Sequence, residues 1–303
     1  MAVADGIVLS APPRDARRGV VLMTTGIALF SMLNGVVKAQ AELFPLNQII
    51  FFRNAFAMIP ILLMVQAAGG VAILRTRRLG EHVALSALFT ATLFSFFLAY
   101  SLMPLADATA IAFTQPLIVT LLSLPFAAEK VRRIEWIAVA VGFAGVMLVV
   151  QPSGDSVGVG AVFALLGSAA SATTMLIQRR LSGTEATHAI TFYTLGLSAV
   201  VMVPTLAFSW VMPTPWQLAG LIVMGLASGL CQYLVVRAFY HAAASTVAPV
   251  TYTKMVWAIL IGVVWFGDVP EPIVIVGSII VIGATLLVAR ADRPAAAVSK
   301  PAP

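Results

Sequence analysis

The sequence predicts an all-α integral membrane protein of ten transmembrane helices arranged as two inverted five-helix repeats. Three observations predict it. First, 60% of the 303 residues are hydrophobic and 10% charged, with a mean hydropathy of +1.00, whereas soluble domains carry about 25% charged residues. Second, ten predominantly apolar runs are each long enough to cross about 30 Å of hydrocarbon. Third, the last five runs restate the first five at a shift of 139 to 141 residues.

Residues 1–18 are polar, with Pro12, Pro13, Arg14, Arg17 and Arg18, and read as a cytoplasmic tail. The basic stretch before an apolar run imitates a signal peptide, but no small-x-small cleavage site closes it and many spans follow, so it is expected to be an uncleaved first helix. The apolar runs occupy 19–37, 46–66, 82–102, 107–127, 134–150, 158–178, 188–208, 216–239, 243–266 and 272–289, joined by short connections. Pro60, Pro104, Pro116 and Pro204 lie in or beside them, where neighbouring helices can satisfy the backbone groups a proline frees. Residues 290–303 form a second cytoplasmic tail.

Orientation follows from the positive-inside bias. With the N-terminus inside, fourteen Lys and Arg residues fall in cytoplasmic segments and only Lys38 on the other side, where Asp107, Asp155, Asp268 and Glu271 also lie. Arg53, Arg237 and Lys254 fall within spans. The pI near 9.9 would suit nucleic acid, but the basic residues cluster between spans instead of along one face, so no nucleic-acid partner is expected. Cys231 is the sole cysteine, which excludes an intrachain disulfide and a cysteine metal site.

The repeat is visible residue by residue. GVVLMTTG from Gly19 matches GAVFALLG from Gly160, and LPFAAEKVRRIEWI around Glu129 matches VWFGDVPEPIVIV around Asp268. Five spans per half is an odd number, so the second half enters the membrane from the opposite side. Such inverted repeats place a site near the midplane, where the halves meet. The halves are 19–150 and 158–289.

This pattern resembles the EamA-type branch of the drug/metabolite transporter superfamily. The likeness rests on PFAAE at 125–129 and WFGD at 265–268, each before an apolar glycine-containing span, on ADATAIAFTQPLIVTLLSLPF in the fourth span, and on FFRNAFA in the second. It covers roughly residues 19–290. It implies ten helices, carrier activity on small metabolites and, often, export of amino acids or related compounds. One departure stands out: the counterparts of Gln115 and Pro116 are Lys254 and Met255. The ninth span thus lacks the matching proline, with Pro249 as the alternative source of a kink.

Lys254 is the residue around which the functional expectation forms. It sits about 16 Å from either end of its span, and a central lysine costs roughly 2.5–3.5 kcal/mol, so it is expected to face a wet cavity. Thr251, Lys254 and Trp257 share a helical stripe. The amine would hold a substrate carboxylate, with Trp257 as an apolar or stacking wall. The other reading is an amine bonded to backbone carbonyls at a kink, or uncharged. No Asp or Glu lies deep in any span, so Lys254 has no evident counter-ion. That suits an anionic or zwitterionic substrate and disfavours a purely cationic one.

Arg53 has two readings: an anchor that snorkels outward or pairs with Glu42, or a substrate contact, the latter supported by the family's frequent arginine at this place. Arg237, on one face with Tyr233 and Tyr240, is expected to snorkel. The stripes Ser31, Asn34, Lys38 and Ser171, Thr174, Gln178 suit either a cavity or polar packing. Phe89, Phe96 and Tyr100 form an aromatic stripe that could wall a substrate. Gln115, matching Lys254 in the other half, is a further candidate. Lys254, Trp257, Thr251, Gln115, Asn34, Tyr100 and Arg53 are therefore the candidate substrate-binding residues.

His82, His188 and His241 lie at span edges, and there is no HExxH, paired-carboxylate or phosphate-cradling motif. Enzyme activity, a cofactor and a metal are thus not expected. The reading is a multi-pass bacterial inner-membrane carrier that moves a carboxylate-bearing metabolite by alternating access, with amino acid efflux first. Uptake of a vitamin or nucleoside-derived metabolite, and a non-transporting scaffold or sensor, are the alternatives. Its partners would be the small molecule and the lipid bilayer, and the sequence leaves a homodimer open.

Overall fold

In a computed structural model the described residues are 16–127, 133–150, 158–182, 184–241 and 248–291. The terminal tails as far as residue 15 and from residue 292, together with Glu129, Asp155 and the start of the ninth span at 243–247, lie outside them. Among the described residues there is no strand. The helices are α1 (Ala16–Gln40), α2 (Leu46–Ala67), α3 (Leu79–Leu102), α4 (Leu105–Ala112), α5 (Gln115–Ala127), α6 (Arg133–Val150), α7 (Val159–Leu181), α8 (Thr187–Ser209), α9 (Pro215–His241), α10 (Thr253–Ile261) and α11 (Pro272–Ala291). Six of them, α1, α2, α3, α7, α8 and α9, are long and apolar enough to cross a membrane, and four shorter apolar segments complete ten spans. α4 and α5 share the fourth span. The ninth runs from a 3₁₀ turn, Ala248–Tyr252, through α10 into a π turn, Gly262–Phe266.

The principal helix contacts cross between the halves, and each has its repeat-related counterpart. α1 packs on α9 as α7 packs on α3; α2 on α9 as α8 on α3; α1 on α10 as α7 on α5. The second span meets the seventh, the fourth the ninth and the fifth the tenth, each pairing mapping onto itself. This is the contact pattern of two interleaved, inverted repeats. Gly26 and Gly167, equivalent at a shift of 141, make the matching approaches: a Cβ on Gly26 would meet Leu234 and Val235 of α9 at 3.3 Å, and one on Gly167 would meet Phe96 of α3 at 3.2 Å. At the fifth-to-tenth crossing a Cβ on Gly145 would stand 2.9 Å from the Gly277 carbonyl oxygen. Small residues at such crossings let backbones approach, the main source of helix association in lipid.

The fourth and ninth spans break at equivalent places. Phe113–Thr114 separates α4 from α5, and Tyr252–Thr253 marks the start of α10, positions related by 139. At each break a threonine hydroxyl donates to the carbonyl three residues back, Thr114 Oγ1 to Ile111 at 2.7 Å and Thr253 Oγ1 to Val250 at 2.7 Å. At the first break the same Ile111 carbonyl also accepts from the Thr114 backbone N–H at 2.9 Å, so the hydroxyl reinforces the turn. The rings of Phe113 and Tyr252, also related by 139, touch across the halves with centroids 5.5 Å apart. The ninth span therefore interrupts despite Met255 replacing the proline, with Pro249 inside its 3₁₀ turn.

α9 sets the position of α2. A Cβ on Gly225 would fall 2.7 Å from the Phe52 carbonyl oxygen and 3.3 Å from that of Arg53, and one on Gly229 would fall 2.2 Å from Pro60 and 2.8 Å from the Ala57 carbonyl oxygen. Gly229→Ala is expected to destabilise by about 1–3 kcal/mol through overpacking. Gly220→Ala, whose Cβ would meet only the Gln40 amide at 3.7 Å, is expected to be silent. Thermal unfolding of both variants in detergent checks the contrast.

Candidate functional site

Helices α1, α2, α3 and α10 bring Phe30, Arg53, Phe97, Tyr100 and Lys254 together. The Arg53 guanidinium lies over the Phe97 ring at 5.6 Å and the Phe30 ring at 6.0 Å. The Lys254 ammonium lies over the same Phe30 ring at 5.1 Å. One phenylalanine thus carries two cations, one from each half of the chain. Arg53 is 8% exposed, and its buried Nη1 has no hydrogen-bond partner. Among the described residues neither cation forms an ion pair.

Tyr100 is buried beside Phe97, with ring centroids 6.4 Å apart, and stacks on Phe96 at 6.2 Å. Lys254 is the second residue of α10, directly after the 3₁₀ turn. Two cations, one from each half, thus lie over aromatic faces with no described carboxylate beside them, an arrangement in which nearby negative charge is favoured.

The other sequence candidates distribute around this centre. Asn34, half-buried, lies one turn beyond Phe30 on α1, between Phe30 and Lys38. Trp257 packs between the central core and the Met23, Ile27 and Ala238 cluster, so it forms an apolar wall on the side of the start of α1. Thr251 is half-buried in the 3₁₀ turn just before α10. Gln115 begins α5, but its amide turns to the Met175 sulfur on α7 at 4.0 Å. The contact that joins the two broken spans is Phe113 with Tyr252, not Gln115 with Lys254.

One expectation is corrected. Arg53 neither snorkels outward nor pairs with Glu42: the close approach of α9 fixes this turn of α2 in the core, and Glu42 is exposed. Lys38, the one basic residue expected on its side of the membrane, pairs its ammonium with Asp268 at 2.5 Å and lies over Phe266 at 4.6 Å. Gly267, at φ 70°, turns the chain after the π turn so that Asp268 reaches α1. Glu271, Asp268 and Lys38 all stand within electrostatic range of Asp107, so this end of the fold sets a lysine among acids. Phe30 is about 12 Å below Lys38 along α1.

Arg237 lies over Tyr233 at 5.9 Å, on the face that its spacing implied. Thr174 bonds within its own helix, to the Ala170 carbonyl at 2.8 Å, which favours packing for that stripe. The sequence reading missed Phe30 and Phe97. Phe30 stands four residues before Asn34 and eight before Lys38, so the stripe already noted on α1 carried the signal.

The profile of the EamA-like transporter family matches residues 17–151 and 158–290. The chain belongs to the EamA-like transporter family. It is similar to the pseudopaline exporter CntI of Pseudomonas aeruginosa, 30% identical over 285 residues that cover 91% of this chain and 98% of that protein. The S-adenosylmethionine uptake transporter of Rickettsia bellii is 27% identical over 82% of this chain and 85% of its own length. The riboflavin transporter of Rhizobium johnstonii is 27% identical over 93% and 94%. A crystal structure with 18% identity superposes with a TM-score of 0.65 over 92% of this chain and 99% of that one, a likeness of fold. The relatives are small-molecule transporters and not enzymes, and that coarse class holds for this multi-pass membrane protein.

Proposed function

We propose that the protein is a secondary transporter of the bacterial inner membrane that moves a small carboxylate-bearing metabolite by alternating access. Residues 19–150 and 158–289 act as its two repeats, and both termini lie in the cytoplasm. One observation carries this reading: Arg53 and Lys254, contributed by opposite halves, converge on Phe30 with no described carboxylate to neutralise them. A central unpaired cation in a membrane protein calls for an anion, and the substrate supplies it. Phe97 and Tyr100 wall the same space, Trp257 closes its apolar side, and Asn34 and Thr251 line the approach, while Gln115, turned to Met175, would join them only on rotating its amide.

Efflux of an amino acid or a related compound is the leading direction, in keeping with the exporter among the relatives. The riboflavin and S-adenosylmethionine transporters support a second reading, uptake of a cofactor-like metabolite. Counterflow in proteoliposomes against amino acids, vitamins and nucleosides tests both. Saturable exchange of at least one solute is expected, and net accumulation or loss of that solute by intact cells expressing the protein assigns the direction. Absence of exchange for every solute would refute the transport reading.

A further inference from the structure

We infer that the site takes substrates bearing two separate anionic groups, one on Arg53 and one on Lys254, with an apolar or aromatic body against Phe30. This rests on the transport reading above and specifies the substrate class of the same site. The argument is one of charge balance at low dielectric. Two cations share the Phe30 ring at 6.0 and 5.1 Å, and their repulsion is unscreened by any described carboxylate. A monoanion discharges one and leaves the other, buried Arg53 or half-buried Lys254, without an anionic partner, a costly state for a desolvated ion. A zwitterion adds an ammonium for which no described acid is at hand, so among amino-acid-related compounds the dicarboxylates with a blocked amine fit best. A dianion satisfies both.

The two residues differ in a way that fits this division. The Arg53 guanidinium offers a planar fork for bidentate capture of a carboxylate, and its buried Nη1 lacks a partner. The Lys254 ammonium is a compact point charge on a flexible stem, suited to a second, separate anionic group. Phe30, over whose ring both cations lie, offers the substrate's middle an aromatic surface. Because Arg53 belongs to the first half and Lys254 to the second, a dianion ties the halves together, whereas a monoanion engages one of them.

Matched probes decide the matter: N-benzoyl-L-glutamate against N-benzoyl-L-glutamine, and glutarate against its monoamide, each pair differing by one charge at nearly constant size. Affinity is read by thermal shift of the purified full chain in nanodiscs, and transport by counterflow. The dianion of at least one pair is expected to bind about tenfold tighter or more than its monoamide. Arg53→Gln and Lys254→Gln should each bring that ratio towards one, while Arg53→Lys and Lys254→Arg keep it. If Arg53→Gln fails to fold, the Lys254 variants and Arg53→Lys decide alone.

Equal binding of both members of each pair by the wild type, or a preference that survives Lys254→Gln, overturns the inference. So does failure of all four probes to bind a preparation that exchanges a monoanionic or zwitterionic solute, an outcome that leaves the transport reading standing. A preparation that exchanges no solute removes both.

Discussion

Lys254→Met is expected to abolish saturable transport of anionic substrates while leaving the protein folded. The lost contact is a charge-assisted hydrogen bond in a dry site, about 1.5–3 kcal/mol, or roughly 10- to 150-fold in affinity before any effect on the transport cycle. Stability should move the other way. A central lysine without a counter-ion carries roughly 2.5–3.5 kcal/mol of unfavourable free energy, and methionine matches its shape without that charge. The apparent melting temperature in detergent is therefore expected to be unchanged or raised. A lysine that only supports packing would show the reverse, with stability lost and flux retained in the surviving fraction. Radiolabelled counterflow and thermal unfolding on one preparation separate these, and wild-type flux in Lys254→Met would sink the assignment.

The fold was legible because its signals are redundant. Ten apolar runs, and the glycines 19, 26, 160 and 167 at a constant shift, each carry information that no single substitution erases, and Gly26 and Gly167 prove to be equivalent close approaches. The broken spans were half legible. Pro116 suggested one break, but what the two share is the aromatic–threonine pair, Phe113–Thr114 and Tyr252–Thr253, whose threonine hydroxyls bond the carbonyls three residues back. Threonine in an apolar run reads as packing unless the two halves are aligned, and only the alignment makes the pair a motif.

The site was legible in its charges and not in its neighbours. Lys254 announced itself by its cost, which depends only on depth. Arg53 was ambiguous because an arginine about 10 Å into a span can reach the surface; what prevents it is Gly225 and Gly229 on α9, far away in sequence, which draw α2 into the core. Phe30 is one apolar residue among many until the fold sets both cations over its ring. Pairings between distant segments, such as Lys38 with Asp268 across 230 residues, depend on which helix ends meet and have no local signature.

That ion pair is the second large effect. It joins the end of α1 to the turn between the ninth and tenth spans, with side chains only 14% and 27% exposed, so it is less screened than a surface pair worth about 0–1 kcal/mol. Asp268→Lys should replace attraction by repulsion and open this end of the fold, which is the outer one in the proposed orientation. A shift of about 1–2 kcal/mol changes the ratio of closed to open states roughly 5- to 30-fold. In a Cys231→Ser background, Asn34→Cys on α1 reports the opening through its labelling rate with a membrane-impermeant maleimide.

Labelling from the Lys38 side is expected to rise several-fold in Asp268→Lys and to return to the starting rate when Lys38→Asp is added. The exchanged pair restores the attraction while the acids at 107 and 271 stay in place. Counterflow should fall in the single variant, because a mouth that cannot close cannot alternate, and recover in the double. Equal labelling of all three proteins would mean that the pair follows closure without holding it.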